Sequence, residues 1–329
     1  MREQNISKKI LDWYDNNKRI LPWRQSRSKK EKEYFTLVSE FMLQQTQVKT
    51  VIPYFENFIK KIPNLKKLAK VNNSKLMKCW VGLGYYSRAR NLKKTAKKII
   101  SDFNGSLPTN IKDLKTLPGI GEYTSSAIMA IAFNKPLIPL DGNVERILKR
   151  VFCLKEKNET SKKNLIKKKK FFGKSKRSSD YAQAIMEIGA LICKPAIPLC
   201  NECPLLKNCI SFKKNDFEIK SKNKFNKTKY FKAEIYRNNN KYLLIKNNTF
   251  NFLKNLLIFP MKEINKNKFK LSSNSKINIK MSNMDMKIIL NKKHNTPKIK
   301  DAFMLDKNNI ENTILPTFTK KIFKSVSKY

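Results

Sequence analysis

A chain of 329 residues with 40% hydrophobic and 10% aromatic side chains can build about two packed domains, which excludes wholesale disorder. Its 71 Lys and Arg against 25 Asp and Glu leave a net charge of +46, which points to a polyanion such as nucleic acid; the joint richness in Lys, Asn and Ile, with 8 Gly, also marks a base bias that inflates lysine. The longest apolar run, Ala127 to Phe133, is too short to span a bilayer and no apolar leader is visible, so a cytoplasmic protein is expected.

From residue 5 to 210 the pattern is helix after helix, with Ile6, Ile10, Leu11 and Tyr14, then Phe35, Val38, Met42 and Leu43, at helical spacing. Glu40 stands in Leu37-Val38-Ser39-Glu40-Phe41-Met42-Leu43, an otherwise apolar stretch. Burial there raises a carboxyl pKa and could make a general acid near neutrality; a buried ion pair is the more ordinary explanation of a Glu in that place. Leu117 to Thr124 holds Gly119 and Gly121 in a tight turn between two apolar helices, about residues 113–130. That is a helix–hairpin–helix pattern, in which glycines admit a phosphate and the second helix offers it open amides. Farther on, Asp141 in Leu140-Asp141-Gly142-Asn143-Val144 sits at a helix start, where it caps, and capping does not exclude catalysis.

Cys193, Cys200, Cys203 and Cys209 follow as C-x6-C-x2-C-x5-C, with Pro204 after the third. In a reducing compartment four such thiols suit a metal centre better than disulfides. Zinc is a rival, but only one pair has the short spacing of a zinc knuckle, and the wider gaps favour an iron–sulfur cubane. Cys79 and Cys153 lie in apolar helical surroundings and read as core. Residues 213–228 are Lys-, Asn- and Ser-rich without a period, a linker. Beyond it, Tyr230 to Tyr236, Tyr242 to Ile245 and Met286 to Leu290 read as strands of a small α+β domain over 229–329.

Hairpin, downstream Asp and four-cysteine loop together resemble the endonuclease III superfamily of DNA glycosylases. Ser39 to Val48, Gly82 to Arg90 and Leu21-Pro22-Trp23-Arg24 are similar to its adenine DNA glycosylase branch, over about residues 6–212. The resemblance implies a mainly α, two-lobed glycosylase domain (1–212) with a 4Fe–4S cluster on the four cysteines of the 193–209 loop. It also implies a Nudix-like domain that reads the opposite base, and a monomer acting on double-stranded DNA with adenine opposite 8-oxoguanine or guanine. By the same carry-over Glu40 protonates the flipped adenine, Asp141 faces the sugar cation, and Tyr123 and Asn143 support the two carboxylates. Arg24 and Gln183 contact the adenine, Gln45 and Tyr85 enter the stack, and Gly119 and Gly121 hold the backbone. Bifunctional relatives carry a Schiff-base Lys where Tyr123 stands, so no efficient lyase is expected. Ser282, in Met281-Ser282-Asn283, is expected against the lesion, with Asn283 replacing the family's His. The alternatives are an oxidised-pyrimidine glycosylase/lyase and a non-catalytic iron–sulfur DNA-binding protein.

Overall fold

The computed structural model describes residues 2–156, 158–218, 227–281, 284–293, 295, 297, 299, 302–310 and 313–326. It divides into two compact units, Met1–Val71 with Arg88–Ser221, and Asn72–Ser87 with Lys222–Tyr329.

The first unit is helical. Its helices are α1 (Arg2–Asn17), α2 (Lys29–Leu43), α3 (Val48–Lys61) and α4 (Leu65–Lys70); α5 (Asn73–Lys78) belongs to the second unit. After α6 (Ser87–Asp102) come α7 (Ile111–Thr116), α8 (Glu122–Ile131), α9 (Gly142–Val151), α10 (Lys162–Lys168), α11 (Ser178–Leu191) and α12 (Ile210–Lys213). Polar residues start these helices: Ser28, Asn64, Asn110, Asp141 and Ser161 each accept the backbone N–H three residues on. The apolar period then decides which faces meet. Ile10 and Tyr14 of α1 pack with Val144 and Leu148 of α9 and with Tyr181 and Ile188 of α11 in one buried core. On α2 the buried face carries Leu37, Val38, Phe41 and Met42, and Glu40 is buried among them.

The second unit is built on a larger sheet than the sequence suggests, with seven strands among the described residues. They are β1 (Lys227–Asn238), β2 (Lys241–Lys246), β3 (Leu257–Ile258), β4 (Met261–Ile264), β5 (Lys276–Met281), β6 (Met284–Lys293) and β7 (Ala302–Asp306). The order is β3-β2-β1-β6-β5, with β4 also on β1 and β7 on β2. β1 and β6 run parallel and the other pairs antiparallel. Phe231, Ala233 and Ile235 of β1 alternate into a core completed by Phe318, Ile322 and Phe323 of the C-terminal helix α14 (Thr317–Val326; the short α13 is Lys266–Leu271). β1 begins at Lys227, inside the stretch expected as linker, because Lys and Thr there extend the ladder with β6. Asn72–Ser87 groups with this unit, although it falls within the 1–212 domain expected from the sequence. Among the described residues no helix is long and apolar enough to cross a membrane.

Candidate active site

A cleft of about 1440 Å³ in the first unit brings together Glu40, Tyr123, Asp141, Asn143, Arg24 and Gln183. Gln45, Gly119 and Gly121 line it as well. Tyr85 does not; it belongs to the second unit, where it is 41% exposed with φ 47°. Ser282 lies outside the described residues.

Glu40 is 5% exposed. The Tyr123 hydroxyl donates to its carboxyl group, while Oε2 has no hydrogen-bond partner among the described residues. Burial pushes its pKa up to about 7; the Tyr123 hydrogen bond opposes the rise and the neighbouring Asp141 adds to it. Burial also raises Tyr123 well above the usual phenol range, so it stays a neutral donor.

Asp141 caps α9, with Oδ1 accepting from the Val144 N–H at 2.7 Å and Oδ2 from Asn143 Nδ2 at 3.0 Å. Burial raises its pKa, and these donors work against the rise by stabilising the anion. Asn143 is itself held: Arg146 Nη2 donates to its Oδ1 at 2.7 Å, while the same guanidinium reaches the carbonyls of Gly189 (2.6 Å) and Cys193 (2.6 Å). At Gly189 an added Cβ would lie 2.4 Å from the Asn143 Cβ, so α9 and α11 meet here only because residue 189 has no side chain.

On the far side, Arg24 Nε donates to Gln183 Oε1 at 2.6 Å and Arg24 Nη2 to Glu187 Oε1 at 3.0 Å. Arg19 grips the same carboxylate through Nε and Nη2, both at 2.8 Å. Burial alone would raise Glu187, but the hydrogen bonds and charges of Arg19 and Arg24 outweigh it and hold the carboxyl below its usual range. Arg19 and Glu187 were not picked out from the sequence. The signal for Glu187 is the one that exposed Glu40, a single acid within an apolar stretch of helix.

The hairpin closes the cleft from α7 and α8. Gly119 has φ 84°, and a Cβ there would lie 2.9 Å from the Phe41 ring. Thr95 Oγ1 fastens the turn by donating to the Pro118 carbonyl at 2.7 Å, and Lys115 pairs with Glu122 across it at 2.7 Å. The first amides of α8 after Gly121 have no acceptor within the helix, which suits an anion, and Tyr123 stands in that same turn.

The four cysteines ring a separate, mostly apolar cavity of about 30 Å³. Arg150 Nη1 donates to Cys193 Sγ at 3.4 Å, and Cys209 Sγ donates to the Arg150 carbonyl at 3.5 Å. Among the described residues no three His, Cys, Asp or Glu side chains are gathered closely enough to hold a single metal ion.

The family model described as HhH-GPD superfamily base excision DNA repair protein matches residues 38–172, which span Glu40, the hairpin and Asp141. An adenine DNA glycosylase of Buchnera aphidicola subsp. Baizongia pistaciae (strain Bp) is 36% identical over 97% of this chain and 96% of its own length. The Homo sapiens adenine DNA glycosylase is 39% identical over 61% of this chain and 38% of its own. Among solved structures, a thermostable thymine-DNA glycosylase superposes with a TM-score of 0.57 at 28% identity, covering 65% of this chain and 97% of that one.

Proposed function

Because the chain belongs to the adenine DNA glycosylases of the HhH-GPD base excision repair superfamily, we propose that it hydrolyses adenine out of mispairs with 8-oxoguanine or guanine, without an efficient lyase step. One observation carries the reading: a buried carboxyl, protonated up to about pH 7, whose second oxygen has no partner. An adenine extruded from the duplex, as the chemistry requires, supplies that partner through N7. Glu40 gives its proton to N7, the C1′–N9 bond breaks, and the bonding pair leaves with a neutral base. The sugar cation faces Asp141, kept anionic by Val144 and Asn143. Water adds to C1′ and returns a proton to Glu40. Arg24 and Gln183 present guanidinium and amide groups to the base edge, Gln45 enters the stack it leaves, and Gly119 and Gly121 approach a phosphate. The absence of an amine at Tyr123 supports a hydrolytic outcome. Residues 1–212 carry this chemistry, and 229–329 serve as a Nudix-like reader of the opposite base.

The four thiols line one cavity, and with the wide spacing of the 193–209 loop this supports a 4Fe–4S cluster held by Cys193, Cys200, Cys203 and Cys209. A bound cluster would cross-link the 193–209 loop, and Arg150 Nη1, which donates to Cys193 Sγ, would hold that thiolate in place. Purified anaerobically, the chain should hold about four iron atoms; one zinc and no iron would overturn this.

The test of the activity is single-turnover cleavage of labelled duplexes with adenine opposite 8-oxoguanine, guanine, thymine or cytosine, and of a thymine glycol duplex. Adenine release opposite 8-oxoguanine and guanine, with strand scission only after alkali, is expected. Scission without alkali, or preference for thymine glycol, would overturn the proposal.

A further inference from the structure

We propose that Arg88 is a positioning residue for adenine excision: from the first turn of α6 its guanidinium clamps the end of α2 and the turn after it, so that one side chain sets both Glu40 and Gln45. Nη1 donates to the carbonyls of Phe41 (3.0 Å), Met42 (2.7 Å) and Gln44 (2.6 Å), and Nη2 to Oγ1 of Thr46 (3.1 Å). Carbonyls at a helix C-terminus lack N–H donors within the helix, and a cation there also interacts favourably with the helix dipole. Arg88 is 6% exposed, so this grip works out of reach of water.

What it grips is the joint between two functions. Gln45 has φ 57°, a left-handed backbone that is strained for a non-glycine residue and persists only where neighbours enforce it. Gln44 and Thr46, on either side of it, are both held by Arg88. Phe41, also held, directly follows Glu40. Gln44 is tied to the hairpin as well, through Nε2 to the Gly119 carbonyl (3.4 Å) and Thr124 Oγ1 (3.3 Å). The turn that meets the base stack and the acid that cuts the bond therefore move as one body. This inference rests on the reading of Glu40 as the acid.

The test compares the full chain with Arg88→Lys, which keeps a cation but not the forked reach, and Arg88→Met. Single-turnover adenine release is measured against pH, per active molecule counted by titration with a non-cleavable duplex. In the parent, release falls as pH rises through about 7. Tyr123 from α8 and Asp141 from the cap of α9 are the titratable groups facing Glu40, and neither variant alters them. In both variants a loosened last turn of α2 admits water to Glu40, so the fall begins at lower pH and the rate drops roughly ten- to hundred-fold. Fluorescence of 2-aminopurine beside the target adenine, which reads extrusion, should rise less than in the parent. A loss confined to the active fraction, with unchanged limb and unchanged fluorescence, is a merely structural role and overturns the proposal. If Arg88→Met does not fold, Arg88→Lys carries the same test. Parent-like release by Glu40→Gln would instead overturn the acid assignment, leaving the clamp to be judged on the fluorescence alone.

Discussion

Glu40 weakens the fold it sits in. Burial lifts its carboxyl from 4.5 to about 7, so between those pH values the folded chain keeps a proton that the unfolded chain has given up. Stability from this group is therefore highest below pH 4.5, falls as pH rises toward 7, and stays low above it. A difference of about 2.5 units, at about 1.4 kcal/mol per unit, amounts to ~3 kcal/mol at most. Glu40→Gln should accordingly resist denaturant better than the parent at alkaline pH, by up to that amount, and hardly differ in acid. Its adenine release should drop by ~10²–10⁴ while duplex binding persists. Denaturant melts at two pH values together with single-turnover rates check both halves; unchanged stability and unchanged rate would remove Glu40 from the role. The residue was legible in the sequence because a single acid within an apolar stretch has few explanations. Its bond to Tyr123 was not, since 83 positions separate them and only folding makes them neighbours.

Helices follow from local rules, so α1 and α2 could be read from the period of their apolar residues, and α9 from the cap at Asp141. Strands fared unevenly. β1, β2 and β6 contain the apolar runs that mark them, whereas β5 (Lys-Ile-Asn-Ile-Lys-Met) was not singled out, although its polar–apolar alternation is itself a strand signal. β3 has two residues and exists only through its pairing with β2. Contacts between elements were the least legible, and Gly189 illustrates this: its need for no side chain comes entirely from Asn143 across the α9–α11 contact. Gly189→Ala should displace Asn143, lower stability by ~1–3 kcal/mol as overpacking does, and slow bond cleavage more than it weakens duplex binding. Thermal melts, single-turnover rates and duplex titrations separate these effects. Equal rates per folded molecule would show that Asp141 holds its place without Asn143.

For the molecule as a whole, both carboxylates, the hairpin and the cysteine loop lie in the first unit, so a chain ending at residue 228 should still release adenine opposite guanine. What it should lose is the preference for 8-oxoguanine over guanine. That loss should be modest, since Asn283 stands where a His is expected and one hydrogen bond contributes ~0.5–1.5 kcal/mol. Relative rates on the two mismatches, for whole and shortened chain, measure it; identical ratios would show that 229–329 does not read the lesion. A basic surface would then serve only as a salt-sensitive hold on the duplex. The two units also differ in how freely they can change over generations. A lysine on the sheet surface is replaceable one step at a time, but position 189 is not while Asn143 remains, because any side chain larger than hydrogen meets it at 2.4 Å. Trimming Asn143 first opens the space and gives up the hydrogen bond that steadies Asp141. Every single-step route between these two positions thus passes through an ancestor that either crowds α9 against α11 or leaves Asp141 without its Asn143 donor, and neutral drift is expected to leave the pair alone or to alter both at once.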